Sequence, residues 1–128
     1  MARKLSPADA NHCPCSGGTL DRLIQPAVLA VLAEGPLHGY RIAERIGAMP
    51  GYEEERPDLS GIYRILKTME AHGLVDSDWD ISASGPAKKS YRITAEGRIC
   101  LKRWVTTLER YRANLTRLLK TARKASGR

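Results

Sequence analysis

Residues 58–75, with the sequence DLSGIYRILKTMEAHGLV, decide the fold of this chain. Their apolar side chains recur at intervals of three and four residues, the spacing that places them on one face of an α-helix. Either Asp58 or Ser60 can cap this helix, which we expect to run to about His72 and to stop at Gly73. The predicted buried face consists of Leu59, Ile62, Leu66 and Met69.

The opposite face of this helix carries polar and basic side chains, namely Ser60, Tyr63, Arg64, Lys67 and Thr68. An α-helix fits the major groove of B-DNA, where the base pairs differ in their hydrogen-bonding groups. Arg64 can bind a guanine or a phosphate, and Lys67 can neutralise a phosphate. Ser60 and Tyr63 can donate hydrogen bonds. The alternative is an ordinary solvated face, which any amphipathic helix has.

Two shorter helices are predicted before this one. The first has an apolar face that Gly35-Pro36 ends, and we expect its regular part to start near Pro26, with residues 19–25 as a separate turn or kinked segment. That face comprises Leu23, Ile24, Ala27, Val28, Val31 and Leu32. The second helix fits residues 38–48, because Ile42 and Ile46 lie four residues apart. A loop containing three consecutive glutamates then leads to residue 58.

A β-hairpin is predicted after residue 73. Leu74, Val75, Trp79 and Ile81 indicate an extended segment, residues 82–86 form a turn-rich tip, and residues 90–93 return as a second strand. Lys88 and Lys89 stand at this return, as in a wing that grips a phosphate backbone. The alternative is a lysine pair that protects an edge strand from further pairing.

The last predicted helix starts at Thr94 and extends over as many as about 28 residues. Its apolar residues form a heptad seam of Leu101, Trp104, Leu108, Tyr111, Leu115, Leu118 and Ala122. Such a helix is too long for the core of one small domain to cover. We therefore expect a two-fold homodimer. Packing of the helix onto its own domain is the alternative.

The order helix, helix, helix, hairpin, long helix is typical of a winged helix-turn-helix domain followed by a dimerisation helix. The predicted fold class is thus mainly α with a small β-hairpin. We divide the chain into a flexible arm at 1–18, a DNA-binding domain at 19–94, and a dimerisation helix and tail at 95–128. Two domains related by two-fold symmetry predict a palindromic operator in double-stranded DNA, with half-sites about one helical turn apart.

Composition agrees with a nucleic-acid partner. The chain has 128 residues, of which 21 are Lys or Arg and 14 are Asp or Glu, for a net charge of +7. The isoelectric point is 9.6, and a basic protein of this kind is favoured for nucleic-acid binding. No apolar run approaches the roughly 20 residues that cross a membrane, and no secretory signal precedes the domain. We expect a cytoplasmic protein without membrane contact.

Four stretches of the sequence together resemble the PadR family of transcription regulators. They are LIQPAVLAVLAEGPLHGYRIAERI at 23–46, SGIYRILKTMEAHGLV at 60–75, KKSYRITAEG at 88–97, and the closing heptad helix. The resemblance covers about residues 20–122 and is closest to the short-tailed branch. It implies a homodimeric repressor with Tyr40, Tyr63, Arg64 and Lys67 on DNA and Lys88-Lys89 in the wing. It also implies release of the DNA by a small hydrophobic or aromatic effector.

The amino-terminal arm departs from that family. His12, Cys13 and Cys15 lie together in HCPC, where thiolates can bind a metal or be oxidised. A complete metal site usually needs further ligands, and Cys100 is more typical of a small core residue, so we predict no metal and no cofactor. The competing function is a thiol- or metal-responsive protein-binding adaptor that uses Cys13 and Cys15.

Two other features bear on ligands and catalysis. Trp79 and Trp104 could line a cavity for a flat apolar effector, although core packing is the alternative for both. The sequence contains no glycine-rich phosphate loop, HExxH helix or nucleophile elbow, and no paired carboxylates arranged for catalysis. We therefore do not expect an enzyme.

Overall fold

The computed structural model describes residues 23–52, 58–81 and 85–127. Within them the order of elements is α1 (Ile24–Ala33), β1 (Leu37–His38), α2 (Gly39–Gly47), α3 (Leu59–Ala71), β2 (Val75–Asp80), β3 (Lys88–Ile93) and α4 (Ala95–Ser126). This order confirms the predicted fold class, three helices and a hairpin followed by one long helix. The division of the chain into three regions stays a prediction, and the arm at 1–18 lies outside the described residues.

The three strands form one antiparallel sheet in the order β1-β3-β2. Val75 pairs with Ile93 and Asp80 with Lys88, so the hairpin is paired along its whole described length. The second strand therefore starts at Lys88, two residues earlier than predicted, because residues of β2 remain opposite it up to Asp80. The sequence did not predict β1, in which Leu37 pairs with Tyr91, since a strand of two residues has no detectable alternation.

Helix α1 is buried on more sides than predicted, because it packs against α2, α4 and β3. Leu29, absent from the predicted apolar face, is fully buried, as are Val28 and Leu32. The core continues through α2, α3 and the sheet, with Ile42, Ile46, Ile62, Leu66, Met69, Val75 and Tyr91.

The predicted start of α1 was wrong by two residues. The helix begins at Ile24, so Pro26 is its third residue. Backbone N–H groups in the first turn of a helix have no partner within the helix, and a proline there sacrifices no hydrogen bond. Pro26 is consequently accommodated inside α1 and is itself buried.

The two candidate caps of α3 are now distinguished. Asp58 is the N-cap, and its Oδ1 accepts a hydrogen bond of 2.8 Å from the backbone N–H of Gly61. Leu59 was wrongly placed on the buried face, because it is 44% exposed. Its neighbours Asp58 and Ser60 are also exposed, which shows that the first turn of α3 extends past the core.

Helix α4 contains 32 residues, four more than the predicted maximum, and is about 48 Å long. Thr94 caps it as predicted, its Oγ1 accepting a 3.0 Å hydrogen bond from the N–H of Gly97. Gly97 lies against the backbone of Leu74, the residue before β2, because a Cβ there would come within 2.1 Å of the Leu74 carbonyl oxygen. No helix in the described part of the chain is long and apolar enough to span a bilayer.

Candidate nucleic-acid interface

The interface begins where the first turn of α2 meets α3. A Cβ added to Gly39 would lie 2.3 Å from Cε1 of Tyr63, so the tyrosine ring occupies the space that a side chain at residue 39 would need. Only glycine permits this approach without a shift of the ring. The contact joins α2 to α3 and fixes the position of the Tyr63 ring on the exposed side of α3.

The outer face of α3 is exposed as predicted for Ser60, Tyr63, Arg64, Lys67 and Thr68. Among the residues that the structure describes, neither Arg64 nor Lys67 takes part in an ion pair. The two cations are therefore exposed and not neutralised by an ion pair with any described residue. Their contact with DNA stays a prediction.

The two lysines of the wing have different surroundings. Lys88 is exposed, and its Nζ lies 5.6 Å from the centre of the Tyr40 ring, within the range of a cation–π contact. Lys89 is half-buried, with its Nζ 3.8 Å from a carboxylate oxygen of Glu70 and 5.7 Å from the centre of the Tyr91 ring. Lys88 is thus the more available of the two for an anion.

A cleft of about 380 Å³ separates the start of α2 from the wing. It brings together four of the predicted DNA-binding residues, Tyr40, Tyr63, Lys88 and Lys89, with Trp79 at its edge. Arg64 instead lines a second cleft of about 550 Å³ between α1 and α3. Ser60 and Lys67 line neither of these two clefts and occupy the outer surface of α3.

A polar contact that the sequence did not predict supports the wing. His38, the N-cap residue of α2, has its Nε2 3.1 Å from Oδ2 of Asp80, at the end of β2. Glu70 of α3 likewise accepts a hydrogen bond from the hydroxyl of Ser77 on β2. No local pattern signals either pair, because the partners are brought together only when the sheet forms.

Two tyrosines are held in their neutral form. Burial raises the pKa of Tyr91, and the negative charge of Glu70 and the nearby Tyr63 raise it further. Burial also raises the pKa of Tyr52, whose hydroxyl donates a 3.1 Å hydrogen bond to the backbone oxygen of Leu23. Both hydroxyls therefore remain protonated at neutral pH, and Tyr91 adds no charge to the cleft that it lines.

The two tryptophans belong to different parts of the molecule. Trp79 is 62% exposed, so the alternative of core packing was wrong for it. It lines the cleft beside α2 and a smaller one of about 230 Å³ on the wing. Trp104 is half-buried on α4 and donates a 2.8 Å hydrogen bond from Nε1 to the side-chain oxygen of Gln25. A role of either tryptophan with an effector stays a prediction.

The heptad seam of α4 divides into two parts. Leu101 and Trp104 are half-buried against the core of their own domain, as is Cys100, and Leu108 is also half-buried. Further along the helix Tyr111, Leu115 and Leu118 are exposed, Leu115 and Leu118 by more than 60% of their surface. The first part of the seam packs within the protomer, whereas none of the residues that the structure describes covers the second part.

The candidate metal or thiol residues His12, Cys13 and Cys15 lie outside the described residues. Within residues 23–52, 58–81 and 85–127, no group of three or more His, Cys, Asp or Glu side chains could hold a metal ion. Cys100 has a free thiol.

Solved structures similar to this chain include three that are 28–29% identical. A conserved protein described as a potential transcriptional factor is 29% identical with a TM-score of 0.67, covering 87% of this chain and 96% of its own. A transcriptional regulator from Thermoplasma acidophilum is also 29% identical, with a TM-score of 0.63 and coverages of 79% and 94%. No curated protein sequence matches with significant similarity.

The third structure is Bacillus subtilis PadR in complex with operator DNA, 28% identical with a TM-score of 0.55. It covers 66% of this chain, which in turn spans 47% of that longer protein. The profile of the transcriptional regulator PadR-like family matches residues 28–103, more than half of the chain. The resemblance predicted from the sequence is thereby confirmed, as is the expectation of a regulator rather than an enzyme. This chain belongs to the PadR-like family of transcriptional regulators.

Proposed function

We propose that this protein is a cytoplasmic, homodimeric regulator that binds double-stranded DNA in a sequence-specific manner and represses transcription until a small hydrophobic or aromatic effector releases it. The observation that carries the proposal is the outer face of α3, where Arg64 and Lys67 are exposed and take part in no ion pair among the described residues. The operator complex of the similar Bacillus subtilis protein supports it.

Helix α3 would enter the major groove. Arg64 can form two parallel hydrogen bonds with a guanine edge, which gives discrimination between base pairs, whereas Lys67 and Ser60 can bind phosphate oxygens. Tyr63, positioned by its contact with Gly39, can donate its hydroxyl to the same strand. Base recognition is thus assigned chiefly to Arg64.

The wing and α2 would bind the flanking phosphates. Tyr40 and Lys88 face each other across the cleft between them, so a phosphate there would meet a hydroxyl donor and an ammonium group. Lys89 contributes less in this proposal, because Glu70 already neutralises part of its charge. Contacts of this kind hold the protein on the duplex without selecting a sequence.

The exposed part of the α4 seam supports the homodimer. Leu115 and Leu118 are largely exposed on one side of a long helix, and the same side of a second copy is the natural cover for them. A two-fold dimer would present two α3 helices and would require a palindromic operator with half-sites about one turn apart.

The cleft between α1 and α3 supports the effector part of the proposal. Its volume of about 550 Å³ falls within the usual size of small-molecule sites, and Ile24, Ile65 and Met69 provide an apolar lining. Gln25, which holds Trp104, and Arg64 also line it. An aromatic molecule in this cleft would contact the arginine assigned to base recognition, which offers a direct route to release.

The test is a titration of the protein with a duplex taken from the promoter upstream of its own gene. Arg64→Ala should cost about 1–3 kcal/mol of binding free energy on this fragment and should reduce the preference over a scrambled duplex. Arg98→Ala serves as the control, since Arg98 is an exposed cation on α4, outside α3 and the wing.

Affinity should also fall steeply as salt is raised, because each neutralised phosphate releases counterions. Equal losses in the two variants, or binding that does not depend on salt, would contradict the proposal. Effector release would be contradicted if aromatic compounds that occupy the α1–α3 cleft left DNA affinity unchanged.

A further inference from the structure

The carboxy-terminal half of α4 has a charge distribution unlike that of the rest of the chain. From Arg110 to Lys124 there are six Lys or Arg and no Asp or Glu, and Glu109 is the one acid between Gly97 and Gly127. In the part of the chain that the structure describes, no ion pair involves α4. Within the described residues, the positive charges of this helix are therefore not compensated by ion pairs.

Three of these cations continue a series of seven-residue intervals that begins at Arg103. Arg103, Arg110, Arg117 and Lys124 are all exposed, and we call them the basic stripe. A spacing of seven residues is close to two turns of an α-helix, so the four side chains lie along nearly the same line. The stripe is about 32 Å long, which is close to one helical turn of B-DNA.

The basic stripe lies on the side of α4 opposite to the apolar seam. Gly97, Leu101, Trp104 and Leu108 are buried or half-buried and share a face that packs toward α1 and β3. With 3.6 residues per turn, the stripe is displaced from this face by nearly half a turn. It therefore points away from its own domain and leaves the seam available to a second copy.

We infer that the basic stripe binds the phosphate backbone of a second segment of duplex DNA, while α3 and the wing hold the operator. The inference rests on the proposed function, which brings the protein to DNA. A line of exposed, uncompensated cations as long as one turn of the duplex matches a polyanion in charge and in length. Because the stripe faces away from its own domain, its duplex is distinct from the one on α3.

The inference predicts that a dimer retained on one duplex captures another. The promoter fragment from upstream of the gene is immobilised, the protein is bound, excess protein is washed away, and a short labelled duplex of mixed sequence is added at low salt. The wild-type protein should retain the labelled duplex. Over the range of salt in which the protein stays on the immobilised fragment, capture should weaken as salt is raised, since it involves phosphate contacts alone.

Two matched variants, each lacking three cations per protomer, test the stripe itself. The stripe variant combines Arg110→Gln, Arg117→Gln and Lys124→Gln, whereas the control combines Arg98→Gln, Arg112→Gln and Arg123→Gln at exposed positions of α4 off the stripe. Gln has nearly the helix propensity of Arg and Lys, so α4 should persist in both. The stripe variant should bind the promoter fragment like the wild type but capture the second duplex on the order of tenfold more weakly.

The outcomes separate the inference from the function on which it rests. Absence of capture by the wild-type protein, undiminished capture by the stripe variant, or an equal loss in the control variant would each overturn the inference. None of these results affects retention on the promoter fragment, which reports on the proposed function. A variant with Arg64→Gln and Lys67→Gln should fail at retention, and its normal retention would contradict the assignment of α3 instead.

Discussion

Helices α3 and α4 are both amphipathic, but their own domain covers most of the apolar face of α3 and only the first part of that of α4. Ile62, Leu66 and Met69 of α3 are buried, whereas Leu115 and Leu118 of α4 are largely exposed. Exposed apolar residues in a continuous row favour association with another surface. In the proposed function, the polar face of α3 is the surface that recognises DNA, and the exposed apolar face of α4 is the surface through which two copies associate.

The largest effect expected from this comparison is on stability. Leu66→Ala removes a fully buried side chain and should lower the free energy of unfolding by about 2–5 kcal/mol. Ile81→Ala, at a residue that is 82% exposed, is the control and should change it by less than about 0.5 kcal/mol. Chemical denaturation of both variants measures the difference. Comparable losses of unfolding free energy would contradict the burial of Leu66 in the core.

The next effect separates assembly from folding. Leu115→Asp would place a charge in the seam of the proposed dimer, with a cost of at least about 2 kcal/mol to association. Sedimentation should therefore show half the wild-type mass, while the helical content stays close to that of the wild type. Ala113→Asp adds the same charge on the other side of α4 and should leave the mass unaltered. A dimer in both variants would contradict the assignment of the seam as the dimer interface.

The smallest effect concerns the junction of α2 with α3. Gly39→Ala introduces a Cβ at 2.3 Å from the Tyr63 ring and should cost about 1–3 kcal/mol in unfolding free energy, because the ring must move. In the background of Tyr63→Ala the same substitution has no ring to displace and should cost much less. A double-mutant cycle measures this coupling. Additive effects would mean that the ring does not rest on Gly39 in solution.

Much of the fold followed from local patterns. The cap at Thr94, the choice of Asp58 or Ser60 as the cap of α3, and the apolar spacing of α3 are signals that act within a few residues, and the structure has a cap at Thr94 and one at Asp58. The predicted exposure of Tyr63, Arg64 and Lys67 follows from the same helical period. Family membership was predicted from four motifs and their order, and the profile match confirms it.

The errors occurred where burial depends on neighbours distant in sequence. Leu59 has the right spacing for the core but lies beyond it, and Trp79 is exposed although it is on a core-forming hairpin. Nothing in the sequence distinguishes Lys89 from Lys88, yet in the structure Glu70 of α3 lies beside Lys89. The spacing of apolar residues in the sequence does not indicate which part of a sheet or helix another element will cover.

The sequence by itself determined the order of the helices and of the two hairpin strands, the cap at Thr94, and which residues share a helical face, because each depends on signals confined to a few neighbouring residues. Only the tertiary structure decided that Tyr63 rests on Gly39, that His38 meets Asp80, and that the α4 seam is covered at Trp104 but exposed at Leu115. These depend on distances between elements, which packing of the whole domain sets and which no single segment of the chain contains.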